Sequence, residues 1–164
     1  MTKNCYIGMG GNFLDTPKAM QLAIQQLKSN KAIFDFTSSL FYRTTAVSIH
    51  PQPDYLNVVC RFSCDLALEE LWKEMQKIEI QLGKKKKPKN APRLIDLDLL
   101  FFGEKLCYSD RLILPHPKWH QRLFVLAPLT DLTEILPLGI NVKKLLENFS
   151  NPHKEQVKVW QDLH

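Results

Sequence analysis

Two aspartates inside a short apolar segment constrain this chain more than any other feature. The segment covers residues 93–103 (R-L-I-D-L-D-L-L-F-F-G), and Pro92 and Gly103 mark its ends. Its length and its β-compatible apolar residues predict a buried strand. Residues i and i+2 of a strand point to the same face, so Asp96 and Asp98 are predicted to project side by side.

The two carboxylates favour a cation site. Like charges at this spacing raise each other's proton affinity, and a buried strand does not keep such a pair without a cation. Hard cations, Mg²⁺ above all, bind carboxylate oxygens and complete their shell with water and substrate phosphates. Two acids from one strand can hold one or two such ions, and a pair of metals can clamp an in-line displacement. The alternative is a solvent-facing pair on an edge strand, and the flanking Leu, Ile and Phe residues argue against it.

The charge of the chain favours an anionic partner. The 164 residues carry a net charge of +5, and a run of lysines precedes the aspartate segment, at positions 84–87 and 89. This balance suits a nucleotide, a polyphosphate, a nucleic acid or an acidic lipid.

Length and composition predict a single domain over residues 1–164 in a reducing cytoplasm. The hydrophobic content of 45% and the charged content of 24% are ordinary for a globular chain. No apolar run approaches membrane-spanning length, and we expect no signal peptide. The four cysteines form no C-x-x-C pair and suit neither a zinc site nor a disulfide framework, so we expect free thiols.

Apolar periodicity predicts the order β-α-β-β-α-β in the first hundred residues. We expect strands at residues 4–9, 32–44, 55–64 and 93–103, and helices at 16–29 and 66–82. A turn is predicted at residues 10–12, and Asp65 is the predicted cap of the second helix. The order predicts an α+β fold, a ferredoxin-like sandwich with its helices on one face of an antiparallel sheet.

The remainder of the chain predicts a C-terminal extension of helices and short strands. Residues 112–117 suit an extended segment, residues 121–132 a helix despite Pro128, residues 142–149 a short helix, and residues 157–160 a last strand. We expect this extension to add to the edge of the sheet and to cover it.

Basic residues around the aspartates favour phosphoryl transfer. Arg93 lies three residues before Asp96, and Arg111, His116 and Arg122 follow. The transition state of this reaction is rich in negative oxygens, so catalysis depends on positioning and charge stabilisation. The chain has no P-loop motif and no kinase H-R-D or D-F-G motif. Taken alone, each basic residue also suits an ordinary surface or turn position, so the prediction rests on the combination.

A second group of residues suits a flat heterocycle. Asn57 has an amide that can bind the edge of such a ring, and Tyr55 and Phe124 can stack on its faces. From the residues alone, a structural place in the core is the simpler interpretation for both aromatics.

Eight short motifs cover nearly the whole chain. They are Y-I-G-M-G-G-N at 6–12, F-Y-R-T at 41–44, Q-P-D-Y-L-N at 52–57, I-E-x-x-x-G at 78–83, P-R-L-I-D-L-D at 92–98, F-G at 102–103, R-L-x-x-P-H at 111–116 and R-x-F-V-L-x-P-L at 122–129. In this order they resemble the 6-hydroxymethyl-7,8-dihydropterin pyrophosphokinase family of folate biosynthesis. The resemblance implies a ferredoxin-like fold. It also implies transfer of a pyrophosphoryl group from ATP to the pterin hydroxymethyl group, with release of AMP.

The resemblance also implies roles for single residues. It implies two Mg²⁺ ions held by Asp96 and Asp98. The residues expected to face ATP are Gln76, Glu79, Lys86, Arg93, Arg111, His116 and Arg122. Those expected to line the pterin pocket are Gly10, Thr44, Thr45, Val47, Tyr55, Asn57 and Phe124. The residues expected to act in catalysis are Lys86, Arg93, Asp96, Asp98 and Arg122.

The implied partners are ATP and 6-hydroxymethyl-7,8-dihydropterin, with no nucleic acid and no membrane. We expect a monomer, and association with neighbouring folate-pathway enzymes stays open. The sequence departs from the family at residues 90–93, where N-A-P-R replaces the frequent W-G-P-R, and lysines replace arginines in the preceding loop. Lysine keeps the charge but loses the bidentate fork of arginine.

The alternative function is an RNA-binding or regulatory ligand-binding module. A pI near 9 and the lysine run fit RNA. An RNA-recognition sheet carries aromatic residues on a central strand, whereas this chain has two acids there, and acids repel phosphate unless they bind metal.

Overall fold

Ten strands and four helices make up the part of the chain that the structure describes. The structure is a computed structural model that describes residues 1–45, 53–83, 94–150 and 156–160. The strands are β1 Lys3–Gly11, β2 Ile33–Ser38, β3 Tyr42–Thr44, β4 Tyr55–Cys64, β5 Asp96–Phe102, β6 Cys107–Tyr108, β7 Ile113–Leu114, β8 Ile135–Leu136, β9 Ile140–Asn141 and β10 Val157–Val159. The helices are α1 Thr16–Ser29, α2 Leu68–Gln81, α3 Leu123–Leu132 and α4 Val142–Glu147. Short 3-10 turns cover Trp119–Gln121 and Pro137–Gly139.

The main sheet has β4 at its middle and β5 at one edge, so the prediction that the two acids lie on a central strand is wrong. Its order is β10-β3-β4-β1-β5, and β2 also pairs with β4. Every pair in it is antiparallel. The predicted α+β class is confirmed, and β10 adds to the edge of the sheet as expected of the extension. β6 pairs with β7, and β8 pairs with β9, in two small hairpins.

The predicted strand over residues 32–44 is wrong in one respect, because it is broken into β2 and β3. Ser39 lies in the break and is buried. Its backbone N–H donates to the Val59 carbonyl at 2.8 Å, and its hydroxyl accepts from the Val59 N–H at 3.0 Å. The Ser39 hydroxyl thus accepts the Val59 hydrogen bond that a backbone carbonyl would accept if the strand were continuous.

Helices α1 and α2 both cover one face of the sheet and bury their apolar stripes there. We call this layer the first core. It includes Ile7, Val58 and Leu97 from the sheet, Met20 and Leu27 from α1, and Leu71 and Ile78 from α2. α1 begins at Thr16 with Pro17 in its first turn, as predicted.

The predicted cap of α2 is wrong. The residue that precedes α2 is Ala67, and its backbone N–H donates to Glu70 Oε2 at 2.8 Å. Asp65 lies farther out and accepts a hydrogen bond from the Thr2 hydroxyl at 2.5 Å. Glu70, in the first turn, therefore accepts the capping hydrogen bond at the start of α2, and Asp65 does not.

The C-terminal extension covers the opposite face of the sheet. We call this layer the second core. It includes Tyr6, Val59 and Phe101 from the sheet, Trp119, Leu126 and Leu129 from the region of α3, and Val142 from α4. The helix predicted across Pro128 is confirmed. Among the helices of the described ranges, none combines the length and apolar character needed to cross a membrane.

A bulge in β5 divides its side chains between the two cores. Tyr6 pairs with Phe101 and Ile7 pairs with Leu99, so Leu100 is the extra residue. Before the bulge, Leu99 belongs to the first core. At and after it, Leu100 and Phe101 belong to the second core.

The end of β1 differs from the prediction of a turn at residues 10–12. Gly10 and Gly11 are strand residues, and both pair with β4. Because Gly11 has no side chain, the backbone of Leu94 can lie close against it. A Cβ at Gly11 would overlap the Leu94 carbonyl oxygen and lie 2.8 Å from Thr16 Oγ1.

We expect Gly11→Ala to destabilise the protein, because the added methyl displaces the Leu94 backbone. Overpacking of this kind costs about 1–3 kcal/mol. For a chain of this size, that lowers the melting temperature by roughly 2–4 °C per kcal/mol. Gly8→Ala is the matched control in the same strand, because its nearest neighbour would be Leu100 Cδ1 at 3.6 Å, an ordinary contact. Thermal unfolding of both variants measures the difference, and equal melting temperatures would contradict the prediction.

Candidate active site

Strand β5 presents Asp96 and Asp98 on the same face, as predicted. They alternate with Leu97 and Leu99, which face the first core, and both aspartates are half-buried. Their partners in β1 are Gly10 and Gly8, respectively. The Asp98 side chain is 48% exposed, so the acids occupy the open end of the strand, and the fully buried part begins at Leu99.

Arg122 lies beside Asp98. Its Nη1 is 3.9 Å from Asp98 Oδ2, beyond hydrogen-bond distance, and its guanidinium lies 5.6 Å from the centre of the Phe124 ring. Both groups of the ion pair are partly exposed, so their Coulomb attraction is weak. Arg122 and Phe124 flank the first residue of α3, so the start of this helix sets the Arg122 guanidinium beside both Asp98 and the Phe124 ring.

The His116 ring accepts a backbone hydrogen bond that defines its neutral tautomer. The Lys118 backbone N–H donates to His116 Nδ1 at 3.2 Å, so the neutral ring carries its proton on Nε2. Burial lowers the pKa of His116 below its ordinary value; the charge of Asp98 raises this pKa, and those of Arg122 and Lys118 lower it. The backbone N–H of His116 donates to the Leu100 carbonyl at 3.0 Å, which ties the ring to β5.

An open cleft of about 340 Å³ lies between α2, β5 and the segment that follows the β6 strand. Its walls include four residues that we predicted to face ATP, together with one predicted metal ligand. These are Gln76, Glu79, Arg111 and His116, with Asp98. The sequence places these residues up to 40 positions apart, and the fold brings them to one cavity.

Sequence reasoning missed several cleft residues, and Trp72 is the clearest. Its ring lies under the guanidinium of Arg111, with 5.8 Å between Arg111 Cζ and the ring centre. Helical periodicity by itself assigns Trp72 to the apolar stripe of α2. It lies at the margin of that stripe and is half-buried, whereas Leu71 and Met75 are buried in the first core. Helical periodicity does not distinguish a residue that packs in a core from one that lines a cleft. Ser109, Asp110, Leu112 and Ile113 also line it.

Three residues predicted for the pterin pocket meet on the sheet. Asn57 Nδ2 donates to Thr44 Oγ1 at 3.1 Å, and both side chains are buried. Asn57 Oδ1 lies against Gly10, where an added Cβ would come within 2.8 Å of it. These contacts fix the orientation of the amide: its nitrogen faces Thr44 and its oxygen faces Gly10.

The aromatic residues predicted for this pocket are only partly buried. Phe124 packs against the second core, and Tyr55 at the start of β4 is half-buried. Tyr55 pairs with Thr44 across the sheet, and Thr45 next to it is exposed. Neither ring is a fully buried core residue. Val47, Lys86 and Arg93 lie outside the described residues, as do Asn90 and the lysine run.

The chemistry of the aspartate pair fits Mg²⁺. Among the described residues, no group of three or more His, Cys, Asp or Glu side chains is placed to hold a metal ion. A structural zinc site needs such a group. Mg²⁺ does not, because it keeps several waters and binds through one or two carboxylates plus substrate phosphates. Asp96 and Asp98 offer this donor set.

Comparison with known proteins identifies the family. The model of the family described as 7,8-dihydro-6-hydroxymethylpterin-pyrophosphokinase matches residues 6–134. The chain belongs to this family. The match begins within β1 and includes β2 to β5, the cleft and α3.

Bacterial relatives match this pyrophosphokinase along most of their length. The chain is 33% identical over 155 residues to the 2-amino-4-hydroxy-6-hydroxymethyldihydropteridine pyrophosphokinase of Haemophilus influenzae. The aligned region covers 91% of this chain and 94% of that protein. It is 31% identical over 160 residues to the protein of the same name in Bacillus subtilis, and this alignment covers 98% of this chain and 92% of that protein. The Folic acid synthesis protein fol1 of Pneumocystis carinii is 38% identical over 128 residues, 78% of this chain, but the match spans only 17% of that protein.

We expect the pKa of His116 to respond in opposite directions to its two charged neighbours. Asp98→Asn removes a negative charge that favours the imidazolium, so the pKa should fall. Arg122→Gln removes a positive charge that disfavours the imidazolium, so the pKa should rise. NMR titration of the His116 ring measures both shifts. Glu104→Gln, an exposed acid beyond the end of β5, is the control. Shifts of the same sign in both variants would contradict the described geometry.

Proposed function

We propose that the chain transfers a pyrophosphoryl group from ATP to the hydroxymethyl group of 6-hydroxymethyl-7,8-dihydropterin and releases AMP, in folate biosynthesis. The observation that carries the proposal is the position of Asp96 and Asp98 in a chain that belongs to the pyrophosphokinase family. Asp98 lines the cleft, and Asp96 lies two residues before it on the same face of β5, in the same sheet as the Asn57 amide.

The cleft suits ATP. Arg111 contributes a positive charge beside the Trp72 ring, and Arg122 contributes another beside Asp98. His116 adds the Nε2–H donor of a neutral imidazole. Such donors bind phosphate oxygens and stabilise the negative charge that these carry during transfer. Gln76 and Glu79 line the α2 side of the cleft, and we assign them to nucleotide binding.

The sheet surface around Asn57 suits the pterin. A buried amide whose nitrogen and oxygen have fixed directions can form paired hydrogen bonds with the edge of a flat heterocycle. Gly10 leaves room for the Asn57 amide oxygen, because a Cβ at Gly10 would lie 2.8 Å from it. Tyr55 and Phe124 are both partly exposed, and we assign them to stacking on the faces of the pterin ring. We assign Thr44, Thr45 and Val47 to the same pocket.

In the proposed reaction, the hydroxymethyl oxygen of the pterin forms a bond with the β-phosphorus of ATP and loses its proton. The bond between that phosphorus and the oxygen that bridges to the α-phosphorus breaks, and AMP leaves with the electron pair. Asp96 and Asp98 would hold Mg²⁺, two ions in our proposal, which when bound screens the charge of the phosphates. Arg122 and His116 orient the phosphate oxygens, and we assign Lys86 and Arg93 to the same group of cations.

The strand order supports a ferredoxin-like core. If β2 and β3 count as one interrupted strand, the sheet has the order second, third, first, fourth, with α1 and α2 on one face. We propose that residues 1–164 form one domain and act as a monomer on ATP and the pterin. The four cysteines are free thiols, which suits the cytoplasm. The edge strand β5 carries two acids, and acids repel the phosphates of RNA unless they bind metal, so we propose no nucleic-acid partner.

We also propose that the chain associates with neighbouring folate enzymes, because some relatives are much longer than this chain. A protein of Arabidopsis thaliana is named Folate synthesis bifunctional protein, and the chain spans 26% of it at 35% identity. The region that matches this chain is thus one part of a longer polypeptide in that organism.

The nucleotide product tests the reaction. Incubation with ATP, Mg²⁺ and 6-hydroxymethyl-7,8-dihydropterin should yield AMP in step with the pterin consumed, because the leaving group is the α-phosphate end of ATP. Chromatographic separation of the nucleotides measures it. ADP in step with the pterin consumed would refute the proposal.

The carboxylates test the site. We expect Asp96→Asn and Asp98→Asn each to reduce turnover by several powers of ten, because an amide keeps the shape of the side chain and loses the charge that binds the cation. Far-UV circular dichroism should show a retained fold, because both side chains lie at an open site. Glu104→Gln, in the turn after β5 but exposed and outside the cleft, should leave turnover unchanged. Near-normal turnover in either aspartate variant would remove that residue from the site.

A further inference from the structure

The β1–β5 ladder ends at one of the proposed metal ligands. Its last pair is Gly10 with Asp96, so Leu94 lies two residues beyond the ladder. The Leu94 carbonyl is held by a side chain instead: the Thr16 hydroxyl, at the start of α1, donates to it at 2.6 Å. The end of a strand frays unless something holds it, and here the anchor comes from 78 residues away in the sequence.

The Thr16 hydroxyl is fully engaged and rigidly placed. It also accepts a hydrogen bond from the Phe13 N–H at 3.1 Å, while the Thr16 N–H donates to the Phe13 carbonyl at 3.1 Å. Thr16 is 1% exposed. Gly11 packs against both the Leu94 carbonyl and the Thr16 hydroxyl, where a Cβ would not fit. We call these contacts of Gly11 and Thr16 with Leu94 the Thr16 clasp.

The same turn reaches a second strand that carries site residues. Asn12, also 1% exposed, donates from Nδ2 to the Pro53 carbonyl at 3.4 Å. Pro53 lies two residues before Tyr55, the first residue of β4. The turn between β1 and α1 therefore contacts the chain just before β5 and just before β4.

We propose that Thr16 is a positioning residue that fixes the carboxylate of Asp96 for cation binding through its hold on the Leu94 carbonyl. The inference rests on the proposed role of Asp96 as a metal ligand. Residues that orient a metal ligand typically account for 10–100-fold in metal affinity or activity. A residue that only stabilises the fold would not change either quantity in the folded protein.

Three variants separate these roles. Thr16→Val removes the hydroxyl and keeps the shape, and Thr16→Ser keeps the hydroxyl. Thr130→Val is the matched control, because its hydroxyl also donates to a backbone carbonyl at 2.6 Å, that of Ala127, but within α3. For each protein, electron paramagnetic resonance measures Mn²⁺ binding in the presence of a nonhydrolysable ATP analogue. AMP formation gives kcat and KM, and thermal unfolding gives the melting temperature.

We expect Thr16→Val to weaken Mn²⁺ binding and to lower kcat, each by about 10-fold or more, with the KM for the pterin changed less than about threefold. Thr16→Ser and Thr130→Val should match the wild type in Mn²⁺ binding and in kcat. If Thr16→Val does not fold, Thr16→Ala replaces it with the same expected results. Normal Mn²⁺ binding and kcat in the folded Thr16 variant, with only a lower melting temperature, would overturn the inference.

The two proposals fail in distinguishable ways. If the wild type binds Mn²⁺ but makes no AMP, the proposed reaction is wrong. Mn²⁺ affinity then decides the inference: a loss in Thr16→Val supports it, and no loss overturns it. If the wild type does not bind Mn²⁺ at all, Asp96 is not a metal ligand, and the inference is overturned as well.

Discussion

The pairing of β1 with β5 is the interaction on which the candidate site depends. It sets Asp96 opposite Gly10 and Asp98 opposite Gly8, so both carboxylates project beside positions that lack side chains. The register is fixed by burial on the other face, where Leu97 and Leu99 lie in the first core. A slip of one residue would turn these leucines out of the core and the carboxylates into it, at the cost of burying two charges.

The two cores supply the site from opposite faces of the sheet. From the first core, α2 provides one wall of the cleft through Glu79 and Trp72. From the second core, α3 brings Arg122 and Phe124 to the aspartates. The bulge at Leu100 connects the two, because the Leu100 carbonyl holds the His116 backbone while its side chain packs in the second core. Packing on both faces therefore fixes the relative positions of the basic residues and the acids.

Local rules predicted the features that depend on neighbours in sequence. Period-2 alternation predicted the shared face of Asp96 and Asp98, and helical spacing predicted α1 and α2 to within two residues at each end. The same rules failed where two local solutions compete. Aspartate is a residue type that often caps helices, which favoured Asp65, but Glu70 accepts the hydrogen bond from the Ala67 N–H. The break at Ser39 was invisible, because a hydroxyl that completes a ladder leaves the apolar pattern of a strand unchanged.

The sequence by itself determined the residue types, their spacing and the motifs that mark the family, because each of these is a property of a short stretch of chain. Only the tertiary structure decided which of these residues meet. The cleft joins Gln76 and His116, the Lys118 N–H selects the tautomer of His116, and Thr16 holds Leu94. The physical reason is that such contacts depend on how distant segments satisfy buried polar groups together, and periodicity carries no information about partners far apart in sequence.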